Sequence, residues 1–226
     1  MRGTRFNWVM RTPSPLPAIL RSWHLYGRWR LGPYLDFRHA VGPNALQPNF
    51  GDLWFLYQQI VQRHPHTVLE LGSGYSTAIV AQALYTLGRG QVVSMETNPF
   101  WARHTRSILP PHLRAICTVK DVTVLEGESG AGCGIRYRPP LPAADVVYVD
   151  GPEGKGLRQR PLELVERPSP CVIVDRRWET VTFLREHVAM YRVVRRFPWQ
   201  RHAILELVAN PPPAQVENGY ATGALS

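Results

Sequence analysis

The run Glu70-Leu71-Gly72-Ser73-Gly74-Tyr75-Ser76-Thr77 combines two features that a ligand site needs. Its glycines let the backbone turn sharply and approach a bound group without a Cβ clash, and Ser76 and Thr77 can cap a following helix. Glu96 lies 24 positions after Gly72. A carboxylate at the end of the next strand can accept paired hydrogen bonds from ribose hydroxyls. Taken singly, the two features also describe a tight strand-to-helix turn and a solvated strand-end acid. A third candidate is Asp150-Gly151-Pro152. Asp150 could serve as a general base, orient an acceptor hydroxyl or ligate a metal. Lys155 could orient an acceptor, or take a proton if desolvation lowered its pKa. Asp175 could share a divalent cation with Asp150.

The identity of a nucleoside ligand follows from two residues. A dinucleotide site usually needs a third glycine in GxGxxG, and here Thr77 holds that position. Glu70, two residues before the first glycine, would set negative charge beside a pyrophosphate, which is unfavourable. Beside a sulfonium or an aminoacyl ammonium the same charge is favourable. The carboxylate argues for a cationic cofactor and against a nicotinamide dinucleotide.

Elements of secondary structure must deliver these residues to one place. From Asp52, a good N-cap, Leu53, Leu56, Tyr57, Ile60 and Val61 recur at helical spacing until Pro65. Thr67–Leu71 is a short apolar run stopped by Gly72, as expected of a buried parallel strand. A helix over Ser76–Leu87 follows, with Gly88 as its stop. The alternation continues with a strand over Gln91–Glu96, a helix begun by Asn98-Pro99, and a strand within Ala115–Leu125 leading to a Gly-rich stretch at Gly127–Gly134. A buried strand follows over Asp145–Val149, then a helix over Leu157–Glu166, a strand over Cys171–Val174 and a helix over Trp178–Tyr191. Two strands joined at Pro198-Trp199-Gln200 close the series as an antiparallel hairpin. Strands alternating with helices imply right-handed βαβ units and a mostly parallel sheet, with ligands beyond the strands' carboxyl ends. We expect a cap or interaction segment over 1–48, an α/β domain over 49–210 and a disordered tail over 211–226.

The ELGSG of Glu70–Gly74, the SMETNP of Ser94–Pro99 and the VVYVDGP of Val146–Pro152 make the sequence resemble the class I S-adenosylmethionine-dependent methyltransferases. The resemblance runs from Asp52 to Val208. It implies a Rossmann-like, doubly wound α/β sheet of order 3-2-1-4-5-7-6 with an antiparallel strand at its end, and S-adenosylmethionine as cofactor. By similarity Glu70, Gly72 and Gly74 would line the methionine part, with Ser73, Tyr75, Ser76, Thr77 and Asp150 nearby, and Glu96 would hold the ribose. Asp150 and Lys155 are then the candidate catalytic residues. Metal-dependent catechol-type members carry Asp-Asn where this chain has Asp175-Arg176, a departure that puts a metal at Asp150 and Asp175 in doubt.

The expected activity is methyl transfer to a small-molecule acceptor, with oxygen a candidate acceptor atom. The alternatives are RNA or protein methylation, motivated by a net charge of +9, and a cofactor-binding scaffold without turnover. The charge is nearly all arginine, spread from Arg2 to Arg201, with Lys120 and Lys155 the only lysines. An even spread marks a nucleic-acid surface less well than a clustered patch, and an Asn-Pro-Pro-Tyr motif for base amino groups is absent. Cys117, Cys133 and Cys171 lack metal-ligand spacing, and the eight histidines form no recognisable metal cluster. With no membrane span and no signal peptide evident, cytoplasm is the default expectation. Oligomeric state is open.

Overall fold

The structure, a computed structural model, describes residues 16–34, 49–194 and 202–208. The expected turn at Pro198-Trp199-Gln200, the tail 211–226 and much of the segment 1–48 lie outside the described residues. In chain order the elements are α1 (Leu16–Leu31), α2 (Phe50–Arg63), β1 (Thr67–Leu71), α3 (Tyr75–Leu87), β2 (Gln91–Glu96), α4 (Pro99–Ile108), α5 (Pro111–Arg114), β3 (Cys117–Asp121), β4 (Thr123–Ser129), β5 (Gly132–Arg138), β6 (Val146–Val149), α6 (Leu162–Glu166), β7 (Cys171–Asp175), α7 (Trp178–His187), β8 (Tyr191–Val194) and β9 (His202–Leu207).

Seven strands form one sheet in the order β3-β2-β1-β6-β7-β9-β8. All pairs from β3 to β7 are parallel, and β9 runs antiparallel to both β7 and β8. Numbered within that sheet alone, this is the expected 3-2-1-4-5-7-6. Strand alternation divides the core in two. Val68, Val92, Val146 and Ile173 face α2 and α3, while Leu69, Leu71, Val147 and Val172 face the layer that contains α7 and β5. The strands read as continuous apolar runs because both faces are covered.

Three local readings are corrected. Helix α2 begins one turn early, at Asn49, whose side chain accepts from Gly51 N at 3.0 Å; Asp52 is inside the helix and buried. The Gly-rich stretch after β3 is a separate hairpin, β4 paired antiparallel with β5 from Thr123↔Arg138 to Ser129↔Gly132. A glycine there is a packing requirement: a Cβ on Gly134 would sit 2.3 Å from Arg160 O. The helix expected over Leu157–Glu166 is a 3-10 turn at Gly156–Gln159 followed by α6, because Pro161 supplies no backbone N–H and disfavours helix in the residue before it.

Helix α1 packs on α2 rather than on the sheet. Gly27 permits the contact, since a Cβ there would meet Phe50 O at 2.1 Å, and Trp23 fills the space above Gly51. No helix among the described residues is long and apolar enough to cross a membrane.

Candidate functional site

The carboxyl ends of β1 and β6 meet backbone to backbone, and that meeting forms the floor of a cavity. Gly72 has φ +103°, and a Cβ on it would lie 3.0 Å from Gly151 N; a Cβ on Gly151 would lie 2.7 Å from Gly72 Cα. Leu71 O accepts from both Asp150 N, at 2.9 Å, and Gly151 N, at 2.6 Å. Two glycines on adjacent strand ends are needed because neither turn leaves room for a side chain of the other. Gly74 differs: a Cβ added there meets nothing within 4 Å, so it borders open cavity.

The cavity has a volume of about 410 Å³, within the range of clefts that enclose small ligands. Gly72–Ser76 and Glu96 form one wall, Asp150–Glu153 lie at its centre, and Asp175, Arg176 and Arg177 form the far wall. The first turn of α2 closes one side through Asn49, Asp52 and Leu53. These last three, with Trp101, His104, Tyr148 and Arg177, are site residues that sequence reasoning did not single out. Only tertiary packing brings α2, Trp101 and His104 to the cavity.

Glu96 is mostly buried, and its Oε1 accepts from Asn98 N at 2.8 Å. Burial pushes its carboxyl pKa up, while hydrogen bonds from Asn98 and Ser73 oppose the shift. Asp150 keeps an exposed surface, and that surface lines the cavity. Desolvation by the protein packed around it, and then the Asp175 carboxylate, raise its pKa to about 6. Asp175 accepts from Arg176 Nε at 3.2 Å, which puts a guanidinium beside the carboxylate that a shared cation would need. Among the described residues no group of three or more His, Cys, Asp or Glu is placed to hold a metal.

Glu70 and Thr77 stand behind the wall, not in it. Residues of β1 alternate faces, so Glu70 turns with Val68 toward α3, in register with Ser94 of β2. The carboxylate is fully buried and takes hydrogen bonds from Ser76 Oγ (2.5 Å), Thr77 Oγ1 (2.6 Å) and Ser94 Oγ. Thr77 Oγ1 also accepts from Gly74 N at 3.0 Å. The acid thus ties the glycine turn and the start of α3 to the sheet. Lys155 is exposed on the loop after Pro152 and is not part of the cavity wall.

Burial outweighs those three donors and raises the Glu70 pKa from 4.5 to about 7. A carboxyl whose folded pKa is raised is most stabilising when protonated, below the unfolded value. Its contribution declines as pH rises from about 4.5 to about 7 and is then constant. Compared with Glu70→Gln in urea unfolding across pH, the wild-type protein should lose on the order of 3 kcal/mol more over that window. Parallel pH profiles would show that Glu70 ionises as freely folded as unfolded.

The sheet order and its one antiparallel strand are consistent with the Rossmann-like fold of class I methyltransferases. No protein-family model matches the chain, and no curated protein sequence matches it. Solved structures do. A methyltransferase from Podospora anserina bound to S-adenosylhomocysteine is similar at 10% identity over 92% of this chain and 100% of that one, with a TM-score of 0.53. A proposed RNA methyltransferase from Pyrococcus horikoshii is similar at 14% identity over 89% of this chain and 100% of that one, with a TM-score of 0.51. At these identities the likeness concerns the fold.

Proposed function

We propose that the chain binds S-adenosylmethionine and transfers its methyl group to a small-molecule acceptor, with oxygen as the attacking atom. The observation that carries this reading is the cavity at the ends of β1, β2 and β6, with Gly74 and Glu96 in one wall. The cofactor is the ligand that the neighbour from Podospora anserina holds as its demethylated product. Five carboxylates, Asp52, Glu96, Asp150, Glu153 and Asp175, face the cavity against Arg176 and Arg177. That excess suits a ligand carrying both a sulfonium and an ammonium.

Open space at Gly74 accommodates the methionine part, and the Glu96 carboxylate accepts from the ribose hydroxyls. Trp101 and His104, in edge contact with ring centroids 5.6 Å apart, offer an apolar wall for adenine. His104 Nε2 is buried there without a hydrogen-bond partner among the described residues. When bound, the cofactor supplies an electrophilic methyl carbon whose bond to sulfur breaks as the acceptor oxygen attacks in line, the electron pair leaving with sulfur. Asp150 takes the proton that the acceptor hydroxyl releases. Its pKa of about 6 leaves it mostly ionised at neutral pH and still basic enough to bind a proton. Positioning of donor and acceptor supplies much of the remaining acceleration.

Calorimetric titration with S-adenosylhomocysteine and with NAD tests the reading: binding of the first and not the second is expected. Glu96→Ala should weaken S-adenosylhomocysteine by about 1–3 kcal/mol, the scale of charge-assisted hydrogen bonds. An unchanged dissociation constant would remove Glu96 from the site. We also read 49–210 as the catalytic domain and 1–48 as an appended interaction segment, which truncation before residue 49 would test by its effect on cofactor affinity.

A further inference from the structure

The far wall of the cavity carries two arginines that the proposed reaction does not use. Arg176 and Arg177 follow β7, and the sheet order β2-β1-β6-β7 puts that strand three spacings from β2, about 14 Å from the end that presents Glu96. Asp150, at the end of β6, lies between the two. A cofactor held by Glu96 therefore leaves the β7 side for the acceptor.

The geometry of these arginines is unusual in two respects. Arg176 has φ +55°, a left-handed conformation that costs a non-glycine residue free energy and clusters at functional sites. It lines the cavity and spends only Nε, on Asp175 at 3.2 Å; among the described residues its two Nη groups make no hydrogen bond. Arg177 also lines the cavity, and its Nη1 is buried without a hydrogen-bond partner among the described residues. Guanidinium donors left unpaired at a cavity wall can hold a planar anion through fork-like double hydrogen bonds.

Resting on the methyltransferase reading above, we infer that the acceptor carries a carboxylate, bound by the guanidinium groups of Arg176 and Arg177 while its hydroxyl reaches Asp150. A carboxylate fits better than a phosphate for an electrostatic reason. Asp150, Glu153 and Asp175 share this end of the cavity, and their repulsion of a dianion exceeds that of a monoanion. The carboxylate is an anchor and takes no part in bond making. Its negative charge also faces the positive methyl donor across the cavity.

The test uses 4-hydroxybenzoate and its uncharged analogue of the same shape, 4-hydroxybenzamide, titrated into the full chain with and without saturating S-adenosylhomocysteine. Binding of the acid at least tenfold tighter than the amide is expected. Arg177→Met and Arg176→Met should each erase most of that preference. Arg177→Lys keeps the charge but lacks the fork, and should retain part of it; this variant also serves if the methionine substitutions fail to fold. Equal binding of acid and amide by the wild-type protein would overturn the inference, as would a preference that survives in both arginine variants. Inorganic phosphate displacing 4-hydroxybenzoate at equal concentration would overturn the assignment to a carboxylate. Failure of the cofactor reading is separate: S-adenosylhomocysteine would not bind, and the acid-amide preference would still be read in the protein alone.

Discussion

Asp150→Asn should lower kcat by about 10²–10⁴, the range associated with a positioned general base. The amide keeps the shape of the side chain but cannot take the acceptor's proton. With any acceptor that the wild-type protein turns over, kcat should rise with pH through about 6, where Asp150 ionises, and then level. That inflection should be missing from the variant. Stability separates this effect from damage to the fold. Desolvation, and then repulsion from Asp175, oppose ionisation of Asp150, so removing the negative charge at 150 relieves both. A raised folded pKa means that ionised Asp150 subtracts from stability, and the variant should melt no lower than wild type above about pH 6. A kcat within twofold of wild type would assign the rate to positioning alone, leaving water to carry off the proton.

The second large effect concerns Gly72 and Gly74, two residues apart in the same turn. Gly72→Ala should destabilise the protein by about 1–3 kcal/mol or more, since alanine would be strained at φ +103° and its methyl would press on Gly151 N at 3.0 Å. Gly74→Ala places its methyl in open cavity and should melt much closer to wild type. Its cost should fall on ligand binding instead, with S-adenosylhomocysteine affinity reduced tenfold or more. Thermal melts and calorimetry on the pair measure both. Equal loss of stability in the two variants would mean that Gly74 serves the backbone and not the ligand.

Period-2 alternation also explains where the Glu70 side chain lies. Glu70 looks like a ligand contact because it precedes the glycine turn, yet Val68 and Glu70 share one face of β1 while Leu69 and Leu71 share the other. The face bearing Val68 is covered by α3, so Glu70 could reach only the hydroxyls of Ser76, Thr77 and Ser94. The strand pattern contained that signal; its reading required knowing which face the helix covers.

The alternation of short apolar strands with helices, the stops at Gly72 and Gly88 and the Asn98 cap were legible from residues 52–208 alone, whereas the strand order was implied only by the family resemblance. Local periodicity and turn chemistry are written in neighbouring residues. Tertiary structure decided what those residues face. The first turn of α2 beside the cavity, the Gly72–Gly151 contact, the withdrawal of Glu70 behind the wall and the pairing of Arg176 with Asp175 each join positions or orientations that spacing along the chain does not specify. A strand end names the residues available at a site, but the direction of each side chain follows only when the neighbouring strand and the covering helix leave it one place to go.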